Sequence, residues 1–476
     1  MFESDRDCPV PQTSREGLSL WFEQALLGEA WASDVRITVA DGLIASIEAG
    51  VARGPSDQGG GVAVPGVANV HSHAFQRAMA GLTEGRGPEG AKDGSSDDDF
   101  WSWRQLMYRF LDRGGPEEIE AITALAFAEM LEGGFTRVAE FHYLHNDPAG
   151  RLYADPAELT GRIVAAAQAT GVGLTLLPVF YAHAGFGGQP PSQGQRRFIT
   201  DLDGFADLVA RGRTLTASLP DAVVGVAPHS LRAVSPEELA AMPALAGDGP
   251  IHIHVAEQTK EVDDCLAWSG ARPVEWLLAN APVDPRWCLI HATHVTPAEW
   301  GEVAARGAVV GLCPVTEANL GDGVFPASAY VQNGGRYGIG TDSNVRIGLA
   351  GELRQLEYSQ RLSLRKRAVV ADGSRTTGRA LFDRALSGGQ QATGVTGGLV
   401  VGQSADIVGL DTSGIAFEGR SGDAVLDSWI FAADRGAIRS VWRRGEQVVA
   451  DGRHVARDAL ESRYRKALKT VLGQDA

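Results

Sequence analysis

From Gly66 to Gly394, short β-branched runs alternate with longer amphipathic ones, and this alternation restricts the chain to a parallel sheet assembled from βα units. Eight strand candidates can be read, at 68–73, 136–144, 173–181, 222–230, 250–257, 287–294, 308–315 and 336–343. Helix starts lie between them. Ser235-Pro236-Glu237-Glu238 and Thr296-Pro297-Ala298-Glu299 each combine a capping box with proline at the first helical position. The pattern predicts a (β/α)₈ TIM-like barrel over 67–395. A doubly wound open sheet shares the alternation, but no Gly-x-Gly-x-x-Gly follows the first strand, so dinucleotide binding has no support.

The flanks, 1–66 and 396–476, read as antiparallel β structure. DVRITVADGLIASIEAG turns at Asp41-Gly42, and AIRSVWRRGEQVVADG turns at Arg444-Gly445. Each flank is short for a core of its own, so the two ends are expected to pair into one small composite β-sandwich domain, with a terminal helix after it. The glycine- and acid-rich stretch 84–99 reads either as a surface loop or as a lid over the catalytic face of the barrel.

The formal charge is −16, which argues against sequence-independent binding to nucleic acid or to an anionic membrane. No uninterrupted apolar stretch of about 18 residues occurs, and MFESDRDCPVPQTS has no basic-then-apolar signal pattern. Cys8, Cys265, Cys288 and Cys313 form no Cys-x-x-Cys pair and are too few for a disulfide framework. A reducing cytoplasm is the expected location.

Ten of the 11 histidines fall between His71 and His294. His71 and His73 are two apart on the first strand, so both imidazoles point the same way. His254 and Glu257 end the fifth strand candidate, His291 the sixth and Asp342 the eighth, and in a barrel these ends converge on one mouth. Three histidines and a carboxylate suit Zn²⁺ with one position left for water, and Fe²⁺ and Mn²⁺ accept the same donor types. His252 reads as a hydrogen-bonded core residue and His454 as a surface one.

VPGVANVHSH, HIHVAEQ, IHATH and GTDS resemble the metal motifs of the amidohydrolase superfamily, and GLIASIEAG and VGQSADIVGLD its composite β domain. HSHAFQRAMAGLTE, FWSWRQLMY, EFHYLH and APHSLR, which lie outside the shared metal motifs, resemble the N-formimino-L-glutamate deiminases. Those zinc enzymes convert formiminoglutamate to formylglutamate and ammonia in histidine degradation. The resemblance implies His71, His73, His254 and Asp342 as metal ligands. It further implies Glu257, His291 and Asp342 as the groups that move protons and orient water, and a homodimer as the assembly.

A dicarboxylate substrate calls for planar bidentate donors. Arg104 and Arg232 match the arginines of the family motifs, and Tyr143, His229 and Gln76 are the remaining candidate substrate contacts. Dinuclear members of the superfamily carry a carboxylated lysine near the fourth strand. Only five of the 43 basic residues here are lysine; AVVGVAPHSLR has none and Lys92 lies in the insert, so one metal per subunit is expected. Glu140 is the alternative bridge, but a carboxylate satisfied by neighbouring hydrogen bonds is the favoured reading. Two rival functions remain at this stage: another amidohydrolase deaminase acting on a nucleobase or cyclic amidine, and a catalytically silent barrel serving as a binding scaffold.

Overall fold

The structure is a computed structural model that describes residues 17–84, 100–373, 375–433 and 435–474. The insert expected at 84–99 lies, beyond Glu84, outside the described residues.

The barrel strands are β1 (Val67–Ser72), β2 (Phe135–His142), β3 (Gly173–Phe180), β4 in two pieces (Val223–Val224 and Ala227–Pro228), β5 (Ile251–Val255), β6 (Trp287–His291), β7 (Val309–Leu312) and β8 (Arg336–Ile339). They lie in one parallel sheet in the order β5-β6-β7-β8-β1-β2-β3-β4. Parallel bridges Val226↔Ile251 and Ser230↔His254 join β4 to β5 and close the barrel. Every residue of β1, β2, β3, β5, β6 and β7 is buried, as expected of strands covered on both faces.

The break in β4 has a local cause. Val223 and Val224 pair with β3, Gly225 N donates to Leu176 O at 3.0 Å, and Val226 N then donates to Pro250 O at 3.0 Å, so from Gly225 the strand gains β5 as a second neighbour while Ala227 and Pro228 still pair with β3. A Cβ on Gly225 would lie 2.2 Å from Pro250 O, and only glycine allows the two backbones so close. The helices between strands begin as their sequences indicate. Glu238 N donates to Ser235 Oγ at 3.2 Å and Ser235 N to Glu238 Oε2 at 2.6 Å, opening helix Pro236–Ala246; Thr296 and Glu299 do the same for Pro297–Ala305.

The chain ends form a second, eight-stranded sheet. Its order is Arg453–His454, Glu446–Ala450, Ile438–Arg443, Ile407–Leu410, Val62–Pro65, Leu18–Leu27, Ala30–Ala40 and Leu43–Glu48. Val62–Pro65 pairs antiparallel with Ile407–Leu410, which is the expected union of the two ends. The Asp41-Gly42 and Arg444-Gly445 turns have left-handed backbone at all four residues, as the twist of a tight hairpin requires. Leu43 bridges Ser404, curling the sheet around a core that includes Leu20, Phe22, Ile37, Ile407 and Trp442. The terminal helix Arg457–Leu472 packs on helix Pro116–Glu132 of the barrel. Strand and helix together bury His454, whose Nε2 lies 2.9 Å from Thr170 O, so the expectation of an exposed His454 is corrected. No helix of the described residues is long and apolar enough to cross a membrane.

A buried ion network joins barrel to sheet. Asp221 receives Arg137 Nη2 at 2.6 Å and also Arg443 Nη2, while Arg443 Nη1 donates to Asp406 at 2.7 Å. The two guanidiniums are 5% and 4% exposed, against 24% for Asp221. Removing the shared carboxylate would take from Arg137 its ion-pair partner and leave Arg443 with Asp406 alone. Asp221→Ala is expected to lose about 2–3 kcal/mol, below the 3–5 of a fully buried pair because Asp221 is partly wet. Urea unfolding checks the loss, and activity per folded molecule should be unchanged.

Candidate active site

β1, β5 and β8 deliver four donors to one point at the barrel mouth. His71 Nε2 is 3.0 Å from His254 Nε2 and 3.5 Å from Asp342 Oδ1, and His73 Nε2 is 3.4 Å from the same oxygen. The opposite ring nitrogens of two of these histidines face carbonyls: His73 Nδ1 is 3.1 Å from Phe141 O and His254 Nδ1 is 3.0 Å from His229 O. A carbonyl only accepts, so these Nδ1 atoms carry the protons and each Nε2 presents a lone pair. Burial holds all three imidazoles below the usual histidine range, so they stay uncharged. Lone pairs on His73 and His254 beside a carboxylate favour a cation. Ligands about 2.0–2.1 Å from one tetrahedral ion stand about 3.3 Å apart, close to the three spacings above, and His71 is shared by two metal-type groups, one with His73 and Asp342 and one with His254 and His291. The residues fit a divalent metal.

Glu257 and His291 border this cluster. His291 Nε2 is 3.7 Å from Glu257 Oε1 and 3.8 Å from Asp342 Oδ2, while its Nδ1 donates to Glu317 Oε1 at 3.2 Å. Burial works against charge on His291, but Glu257, Glu317 and Asp342 outweigh it and raise the imidazole to about 10. Burial pushes Glu257 up to about 7, where a carboxyl both holds and releases a proton near neutrality. Glu261 fixes the turn behind it by accepting from Ala256 N at 3.1 Å and Glu257 N at 3.3 Å. Glu140, the alternative bridge considered from sequence, accepts from Ala74 N at 2.8 Å, and burial raises it to about 8.

The five candidate substrate contacts lie on the adjoining wall. Gln76 Nε2 donates to Tyr143 Oη at 2.9 Å, and the Tyr143 ring stands edge-on to His73 with centroids 4.9 Å apart. The His229 ring is 4.9 Å from His254 and 4.5 Å from Tyr181. Arg104, from helix Phe100–Leu111, donates to Tyr181 Oη at 2.7 Å. Arg232 is buried, 3.9 Å from Glu261. Burial, the nearby His254 and both guanidiniums hold His229 well below its ordinary value, so one histidine senses both arginines. All eleven site residues read from sequence therefore meet at one end of the barrel. His252 lies deeper, 2.7 Å from Ala392 O, in the core role expected of it.

Several contributors were not singled out from sequence. Asn344 Nδ2 donates to Ser72 Oγ (3.1 Å), His73 O (3.2 Å) and Asp342 O (2.9 Å), and Thr341 Oγ1 joins it to Asn69 on β1. This clasp holds backbone that is otherwise strained: Asp342 and Asn344 have φ of 42° and 56°. Glu317 and Asp322 come from TEANLGDG after β7, whose place behind a strand end was the available signal.

A model of the amidohydrolase family matches residues 62–448, and one described as the N-terminal domain of formimidoylglutamate deiminase HutF matches 20–61. A curated formimidoylglutamate deiminase from Pseudomonas aeruginosa is 50% identical over 460 residues, 96% of this chain and 99% of that protein. A solved amidohydrolase from Brucella melitensis is 54% identical with a TM-score of 0.91, covering 96% of this chain and all of that one (100%). An adenosine deaminase from Xanthomonas campestris with bound zinc shares the fold at 22% identity, with a TM-score of 0.80 and coverage of 96% and 98%. With a family model spanning most of its length and relatives at half identity over nearly all of it, the chain belongs to the amidohydrolase family.

Proposed function

We propose that this chain is a formimidoylglutamate deiminase, converting N-formimino-L-glutamate and water to N-formyl-L-glutamate and ammonia, with one Zn²⁺ held by His71, His73, His254 and Asp342. The observation that carries the reading is a cluster of metal-type donors sharing one barrel mouth with Arg104 and Arg232, the bidentate partners that a substrate with two carboxylates needs. The P. aeruginosa relative supports the choice of substrate. A nucleobase offers those guanidiniums no carboxylate.

Bound in that quartet, a divalent metal would supply water acidified towards a pKa of about 7. Arg104 and Arg232 hold the glutamate carboxylates, with Tyr143, His229 and Gln76 closing around the formimino group. His291, fixed by Glu317, orients the water, and Asp342 takes its proton. Attack makes the formimino carbon tetrahedral, and Glu257 passes a proton to the terminal nitrogen. Ammonia then leaves and the C–N bond to glutamate survives. Protonation matters because amide anion is too poor a leaving group. The reading of one metal rests on the fourth strand, which brings no lysine to the mouth; Glu140 gives Oε1 to the backbone N–H of Ala74, while its Oε2 is buried without a hydrogen-bond partner.

Ammonia release from N-formimino-L-glutamate is expected, with loss on dialysis against chelator, recovery with Zn²⁺ and metal analysis giving one ion per chain. N-formimino-L-aspartate serves as the chain-length control. Glu257→Gln should lower kcat about 100- to 10,000-fold with metal content unchanged; near-normal turnover would remove Glu257 from the proton path. Arg232→Met should raise KM about 10- to 100-fold and leave the metal in place. Loss of zinc from that variant would give Arg232 a structural role instead.

A further inference from the structure

Asp322 has no part in the steps above, yet it lies against them. It is 4% exposed, in the loop that follows helix Pro314–Leu320 at the barrel mouth. A carboxylate oxygen of Asp322, one of Glu257 and a ring nitrogen of His291 all lie within 4.8 Å of one another. Its backbone is pinned from both sides: Asp322 N donates to Glu317 O at 2.9 Å, and His294 Nε2 is 2.8 Å from Asp322 O. The Gln258 amide donates to Oδ1. The other oxygen, Oδ2, is buried with no hydrogen-bond partner in the protein. A buried acceptor left without a donor is costly, and burying one beside a second carboxylate is costlier. Burial and the neighbouring Glu257 push Asp322 up to about 9 against the opposing pull of His291, so the carboxyl holds its proton near neutrality unless a further cation comes beside it.

The proposed substrate has such a cation. An amidine is a strong base and enters as an amidinium, whose terminal nitrogen carries two N–H donors and shares the positive charge. The product's formyl group has a neutral carbonyl oxygen in that place. Glu257 accounts for one donor only.

We infer that Asp322 is a second carboxylate for the formimino end of the substrate, accepting a hydrogen bond from the terminal amidinium nitrogen beside Glu257, and so selecting a cationic amidine over a neutral amide. This rests on the deiminase reading. Asp322 thus serves both specificity and turnover: it holds the leaving nitrogen where Glu257 reaches it, and it has nothing to bind once that nitrogen has gone as ammonia and a carbonyl oxygen stands in its place.

The test compares a charged and a neutral ligand on the metal-loaded enzyme. Asp322→Asn keeps the shape and removes the ionisable acid, and Asp322→Ser serves as the second variant should the first fail to fold. Either is expected to raise KM for N-formimino-L-glutamate about 10- to 100-fold. The inhibition constant of N-formyl-L-glutamate should stay within about twofold, with metal content and unfolding midpoint unchanged. Equal weakening of both ligands, or loss of metal, overturns the inference in favour of a structural role. An unchanged kcat/KM in a folded variant also overturns it. If the wild-type enzyme releases no ammonia from N-formimino-L-glutamate, the deiminase reading itself fails; if it does and the variants match it, only the role of Asp322 fails.

Discussion

The seam between β8 and β1 is the constraint on which the site depends. Their ladder is short, Ile339 against Asn69 with an isolated bridge from Ser72 to Asp342, and yet His71, His73 and Asp342 stand on its two sides. Polar groups complete what the ladder leaves undone. Thr341 N and Asp342 N donate to His71 O at 3.0 and 2.9 Å, His73 N donates to Asp342 O at 3.0 Å, and Asn69 Oδ1 accepts from both His71 N and Thr341 N. A fully satisfied buried network of this kind is stiff. It sets the separation of three donor side chains before any ligand arrives, so a metal would meet a site already shaped to it.

Electrostatics divide the mouth into two regions. On one side Glu257, Glu317, Asp322 and Asp342 surround His291; on the other Arg104 and Arg232 act on a histidine kept neutral. A zwitterionic substrate with a cationic amidine end and an anionic tail fits that polarity in one orientation only. The net charge of −16 slows the approach of a substrate of net charge −1 over long distances, particularly at low salt, but it says nothing of a field that reverses within one pocket.

The repeated units, the hairpin turns at Asp41-Gly42 and Arg444-Gly445 and the helix caps were legible because each depends on residues close in sequence. The convergence of metal-type side chains was legible for a related reason: strand period places His71 beside His73, and barrel topology carries other strand ends to the same mouth. What could not be read depends on partners far apart in the chain. The close backbone approach at Gly225 answers to Pro250, the burial of His454 to helices more than 280 residues earlier, and the value of Asn344 to the carbonyl of His73 just past β1. Asp322 was hidden differently, since an acid in a Gly-Asp-Gly turn looks like any solvated loop until the fold buries it.

The pairing of Val62–Pro65 with Ile407–Leu410 also has a meaning in time. The two strands are separated by about 340 residues, and a ribosome adding about 5–20 residues per second needs roughly 20 to 70 s to cover that distance. Throughout that interval the early strands, Leu18–Leu27 and Ala30–Ala40 among them, can form their local hairpins, while one edge of Val62–Pro65 stays open. The barrel has the opposite schedule, because each βα unit docks on the one made before it. The terminal sheet is therefore the last part of the molecule to close, and an unpaired apolar edge is what a nascent chain of this design exposes longest.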